Sequence, residues 1–185
     1  MVERCFWCTD DPQYVAYHDQ EWGRPSRDET HLFEMLSLEL FQSGLSWLTI
    51  LRKRAGFRQA FANWNVDTLA GWGEAEQDRL LLDPAIVRNR AKIRAVLNNA
   101  RRLADLQKKH GSLAEFLQKF VPQRTVPAGG FDRESLPLLL PEAHAMAAAL
   151  RSLGFSFTGP MVCMSLMQAV GIVNDHLRGC FLCPY

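Results

Sequence analysis

Apolar side chains recur at helical spacing along almost the whole chain. Leu32, Phe33, Leu36 and Leu40 fall on one face of a helix expected over 28–41. Ser43-Gly44 breaks that pattern, and Ser46, whose hydroxyl can accept from free backbone amides, caps a second helix carrying Trp47, Leu48, Ile50 and Leu51. The two helices flank a tight loop, Gln42-Ser43-Gly44-Leu45. Further on, 74–82 reads as a short helix, Asp83-Pro84-Ala85 as a hairpin turn, and 88–110 as a long helix stopped by Gly111. Ser112 and Glu115 form a capping box for a helix through Phe120, and Pro122, Pro127, Gly129, Gly130 and Pro137 mark an irregular connection. Pro141 suits a first helical position, 143–152 continues that helix, and Gly154 ends it. Pro160 opens a last helix, apolar nearly all round over 161–173, which predicts burial on every side up to Asn174-Asp175-His176. No alternating strand pattern or internal repeat interrupts this, so the expected fold is all-α.

Composition narrows the picture. With 185 residues, 48% of them hydrophobic, the chain can bury one substantial core, and one domain over 1–185 is expected. The formal net charge is only +1, yet 79–110 carries nine lysines and arginines against two aspartates. Such clustering suits a surface that follows phosphates, although basic helix faces are also common on proteins that bind no polyanion. No run is long enough to span a membrane, and Met1-Val2-Glu3-Arg4-Cys5 lacks the apolar stretch of a signal peptide, so a cytoplasmic location is expected. There the five cysteines are thiols or metal ligands rather than disulfides.

Those cysteines gather at the chain ends. Cys5 and His18 near the start, with His176 and Cys180 near the end, offer two thiolates and two imidazoles, a mixture that suits zinc. The spacing of His176 and Cys180 would align them on one face of a helix. Cys5-x-x-Cys8 with Cys180-x-x-Cys183 offers an all-thiolate alternative, and spacing does not choose between the sets. Either one ties the first turn of the chain to its last.

Trp7, Tyr14, Tyr17 and Trp22 crowd the first part of the chain, with Trp47 just beyond the Gln42–Leu45 loop. Singly, each reads as core. Glu39 is different, because a carboxylate on a mainly apolar helix face is not explained by packing. Flat aromatic walls beside a carboxylate can hold a flat cationic ring, which points to an N-alkylated purine turned out of a DNA stack. Leu45 at the loop tip either fills the vacated space or packs between its two helices.

Taken together, Arg4-Cys5-x-Trp7, Tyr14-x-x-Tyr17-His18-Asp19-x-Glu21-Trp22-Gly23, Leu38-Glu39, Gln42-x-Gly44-Leu45-Ser46-Trp47, Arg88-Asn89-Arg90-x-Lys92-Ile93, Gly154-Phe155-x-Phe157-x-Gly159 and Met167-Gln168-Ala169-x-Gly171-x-Val173-Asn174-Asp175-His176 form an ordered pattern. It strongly resembles the 3-methyladenine DNA glycosylase I family. That resemblance implies a helix-hairpin-helix glycosylase fold, with the hairpin over about 74–110. It implies a structural zinc on Cys5, His18, His176 and Cys180, with Cys8 and Cys183 outside the set. Glu39 becomes the base-reading catalytic residue, and Tyr14, Tyr17, Trp22 and Trp47, with Trp7 alongside, surround the methylated base. Gly44 and Leu45 occupy the gap in the duplex, while Arg88, Arg90, Lys92 and Arg94 lie along its backbone. The implied activity is hydrolytic release of 3-methyladenine from alkylated double-stranded DNA by a monomer, without strand cleavage. Leu40 and Ala85 depart from glycines usual in the pattern; Leu40 is expected to shift its helix or narrow the base slot, and Ala85 to weaken phosphate contact. If they abolish excision, the alternative is a zinc-containing DNA binder of the same fold.

Overall fold

The structure, a computed structural model, describes residues 2–184. Among the described residues the regular elements are all helical: α1 (Pro12–Gln20), α2 (Glu29–Gln42), α3 (Trp47–Ala60), α4 (Val66–Ala70), α5 (Glu74–Leu82), α6 (Arg90–His110), α7 (Leu113–Gln118), α8 (Pro141–Ser152) and α9 (Pro160–Ala169). Short polar side chains decide most of the starts. Asp11, Asp28, Ser46, Asn65, Asn89 and Ser112 each accept a hydrogen bond from a backbone amide in the first turn, leaving fewer orphan donors. Proline opens α1, α8 and α9, where its missing N–H is not needed.

The centre of the molecule is α2. Every residue from Leu32 to Phe41 is buried, so this helix is enclosed on all sides rather than on the single face its spacing predicts. The reverse holds for α9, which ends at Ala169 instead of reaching Val173 and leaves Met161 exposed. Its last turn closes when the amides of Ile172 and Val173 both return to the Met167 carbonyl, at 2.9 and 3.2 Å. Both α3 and α9 pack against α2, and α7 and α6 complete the wrapping.

Two helices lie outside the expected pattern, α1 and α4, both too short to give a strong period. Between α3 and α4 the chain makes a left-handed turn at Ala62–Trp64, with φ of +49°, +51° and +61°. Burial of Trp64, stacked on Phe61 at 5.0 Å and 8°, holds that unusual conformation in place. The stretch read as a hairpin holds α5, a connection over 83–89, and α6 capped by Asn89, so Arg88 precedes the helix rather than opening it. Ala85 does not carry a positive φ. Its methyl instead sits against Gly56, where an added Cβ would come within 2.7 Å of the Ala85 Cβ and carbonyl oxygen. Gly56 therefore supplies the close approach between α3 and the hairpin turn.

Beyond α9 the chain is irregular, and it lies against the N-terminal segment: the Phe181 amide donates to the Glu3 carbonyl at 3.0 Å. His176 and Cys180 are thus not aligned by a helix, contrary to their spacing; a turn from Leu177 to Cys180 brings them round instead. Among the described residues, no helix is long and apolar enough to cross a membrane.

Candidate functional site

Cys5, His18, His176 and Cys180 meet in the interior, with their ligating atoms all within 4.8 Å of one another. Cys5 Sγ lies 3.6 Å from His176 Nδ1, and Cys180 Sγ lies 3.5 Å from both His176 Nδ1 and His18 Nε2. A tetrahedral zinc with its usual bond lengths sets sulfur-to-nitrogen edges of about 3.5 Å, so the cluster has the dimensions of a metal site. Its chemistry agrees. Burial pulls His176 down to about 4, leaving a neutral imidazole free to ligate. His18 is fixed by its other ring nitrogen, 2.8 Å from Asp19 Oδ1, and Asp19 in turn is held by Arg4. The alternative all-thiolate set is not assembled: Cys8 Sγ lies against the Thr9 carbonyl at 3.7 Å and Cys183 Sγ against that of Gly129 at 3.6 Å. The described chain therefore offers a two-cysteine, two-histidine cluster that could hold a metal.

A cavity of about 180 Å³ opens beside this cluster. Trp7, Tyr14, Tyr17, Trp22, Glu39 and Trp47 all line it, joined by Gln42, Ser165 and Gln168. The wall nearest the clasp is aromatic: Trp22 meets His176 edge-on at 4.7 Å, and Trp7 meets Trp22 at 4.8 Å. Across the cavity Tyr17 and Trp47 are 5.2 Å apart. Three of the helices that carry lining residues, α1, α2 and α3, are locked by ion pairs. Arg54 on α3 reaches Glu21 at the end of α1 at 2.7 Å and Glu34 on α2 at 2.9 Å, while Arg58 also holds Glu34 at 2.6 Å. Burial alone would raise Glu34, but the two guanidiniums outweigh it and hold the carboxyl at about 2.

Glu39 has the opposite environment. It is 5% exposed, and burial, with no cation to offset it, pushes the carboxyl up to about 8. Burial thus favours the neutral form of its side chain. Gln168 is the most constrained of the three lining residues that sequence reasoning left unassigned. Its Nε2 donates to Asp175 Oδ2 at 2.8 Å, and Asp175 is paired with Arg124. Gln42 and Gln168 stand within the quoted motifs, which was the available signal; Ser165 had none. Leu40, expected to narrow the slot, is fully buried and does not line the cavity. On a helix enclosed all round, its side chain has core to fill instead.

Gly44 and Leu45 sit at the tip of the loop between α2 and α3. Gly44 has φ +81° with open space around it, so only its conformation demands glycine. Leu45 is 41% exposed, which removes the reading that it packs between its flanking helices. Arg88, Arg90 and Arg94 are exposed, Arg90 reaching Asp78 at 3.0 Å. Lys92 breaks the series: it is buried, and its ammonium points inward to backbone carbonyls, so it does not lie along a surface that duplex could touch. On α6 it shares a face with Val96, Asn99 and Leu103, all buried, and that spacing dictates its direction.

Known proteins match the chain along nearly its whole length. A family model described as methyladenine glycosylase matches residues 7–183. The chain is 39% identical over 183 residues to DNA-3-methyladenine glycosylase 1 of Escherichia coli (strain K12), covering 99% of this chain and 98% of that protein. It superposes on a crystal structure of 3-methyladenine DNA glycosylase I with a TM-score of 0.92 at 43% identity, covering 98% of this chain and all of the other. A 3-methyladenine DNA glycosylase I solved in complex with 3-methyladenine matches with a TM-score of 0.91 at 32% identity, over 98% of each chain. Carried by a match that runs from the first aromatic of the cavity to the last cysteine, the chain belongs to the methyladenine glycosylase family.

Proposed function

We propose that this protein excises 3-methyladenine from alkylated DNA by hydrolysing the N-glycosidic bond of an extruded nucleotide, as the first step of base excision repair. The observation that carries the reading is Glu39, a carboxyl buried without a counterion in a cavity walled by aromatic rings. A neutral adenine gives such a group no reason to ionise. An N-methylated adenine is a cation, and its arrival favours the carboxylate, which accepts from the edge of the ring while Tyr17 and Trp47 face its π-surface. The proton leaves as the cation enters, so selection for damage comes from charge as well as shape.

The bond to be broken is already weak, because the base departs as a neutral molecule from a cationic nucleotide. Strong acid catalysis is not needed. The residues of the cavity hold the nucleotide in position and orient the base while positive charge moves towards the sugar; a water molecule then adds to the sugar carbon that the base has left and releases its proton to solvent. None of the lining residues is a lysine, so no covalent Schiff base is formed and strand cleavage is not expected. Leu45 fills the gap left in the duplex, with Gly44 allowing its loop to turn, and Arg88, Arg90 and Arg94 meet backbone phosphates. We read the whole chain as one domain acting as a monomer, with α5 and α6 as its helix-hairpin-helix, acting in the cytoplasm on double-stranded DNA.

Zinc is the metal that best fits the clasp, since two thiols and two imidazoles at tetrahedral spacing leave no open position. It would be held by Cys5, His18, His176 and Cys180 and supply folding energy rather than reactivity. His176 held in this way would steady Trp22, and so one wall of the cavity. The basis for an inactive binder is weakened by Leu40 lying away from the cavity and by Ala85 keeping an ordinary backbone. Incubating the protein with methylated duplex and separating the released bases by chromatography tests the reading. Free 3-methyladenine with intact strands is expected; binding to abasic duplex without any released base would favour the binder instead.

A further inference from the structure

Lys92 stands where a lysine is least expected. It belongs to the first turn of α6, the electropositive end of a helix, and it is 7% exposed. Its Nζ donates to the Phe41 carbonyl at 2.9 Å and the Ser43 carbonyl at 2.6 Å, both at the C-terminal end of α2. That end is electronegative and carries carbonyls with no helical partner, so the cation is well placed electrostatically. Water or a glycine cap would satisfy the same carbonyls without taking an ammonium out of solvent, and burial does pull the Lys92 pKa down. What the lysine adds is a fixed distance between α6 and the loop that follows α2.

That loop connects the cavity to its exposed tip. Gln42 lines the cavity, the Leu45 amide closes the turn on the Gln42 carbonyl at 2.6 Å, and Ser46 caps α3 ahead of Trp47. Lys92 holds the entry to the loop and Ser46 holds its exit, leaving Gly44 and Leu45 projecting between them. On the same stretch of α6 and its N-terminal approach, Arg88, Arg90 and Arg94 point outward while Lys92 points inward. We propose that Lys92 is a positioning residue that couples the basic surface of the hairpin to the Leu45 loop, so that engaging the DNA backbone places Leu45 at the base step. This rests on the proposed action on DNA, but its mechanical half does not.

The test uses the metal-loaded full chain and the variant Lys92→Met, which keeps most of the stem and removes the donor. Amide hydrogen exchange over 41–46 is expected to speed up by about tenfold or more. Binding of free 3-methyladenine, read by tryptophan fluorescence, should stay within about twofold, while single-turnover excision from duplex falls by about tenfold. Unchanged exchange over 41–46 would overturn the proposal, as would loss of free-base binding in step with excision, the mark of a residue that only supports the fold. If Lys92→Met does not fold, Lys92→Gln keeps an uncharged amide donor on a shorter stem; an intermediate loss is expected, and wild-type exchange and excision would overturn the proposal equally. Wild-type protein that releases no base, with a loop still loosened by Lys92→Met, contradicts the proposed function and leaves the clamp standing.

Discussion

Glu39 and Glu34 lie on the same buried helix and differ only in what faces them. Two guanidiniums hold Glu34 at about 2, and nothing charged meets Glu39, which burial pushes up to about 8. The consequence for stability has a definite sign. Between the ordinary carboxylate range and about 8, the folded protein keeps a proton on Glu39 that the unfolded chain has released, so stability falls as pH rises through that window. Thermal unfolding of Glu39→Gln should lose this component, becoming more resistant than wild type near pH 8. A variant with the same pH slope as wild type would show that the carboxyl is solvated. Glu39 was legible in the sequence because an acid on an apolar face has no packing explanation. Lys92 was read as one of a basic series, although its spacing with Val96, Asn99 and Leu103 already aimed it inward.

At the scale of the elements, the cavity exists because α1, α2 and α3 stay in register, and Arg54 is the bolt between them. Its guanidinium answers Glu21 and Glu34 together, and removing it leaves Glu34 with the half-exposed Arg58 and with His31, 4.0 Å away. Arg54→Met is expected to cost about 3–5 kcal/mol of stability, since breaking a buried pair strands a charge. Equilibrium denaturation measures this; a loss below about 1 kcal/mol would show a solvated surface pair instead. Starts of α3 and α7 were readable from Ser46 and Ser112, whose capping is local chemistry. The enclosure of α2 on all sides was not, because it depends on α9 and α7 arriving from distant parts of the chain. The same limit applies to α9, whose apolar run continues past its end into a turn that the sequence does not distinguish from helix.

Across the whole molecule, the clasp between the chain ends sets one wall of the cavity, through His176 against Trp22 and Trp22 against Trp7. Spacing left two ligand sets open, and only three-dimensional folding separates them, by turning Cys8 and Cys183 towards carbonyls instead. Elemental analysis is expected to find full metal content in Cys8→Ser and Cys183→Ser and loss in His18→Ala, with chelation lowering the melting temperature; the reverse pattern would support four cysteines. The central claim, that a buried carboxyl between aromatic walls recognises a cationic base, is tested most directly by the excision rate of metal-loaded Glu39→Gln on methylated duplex. The account predicts a fall of about a hundredfold, with metal content and fold retained. Release of 3-methyladenine at the wild-type rate would contradict it.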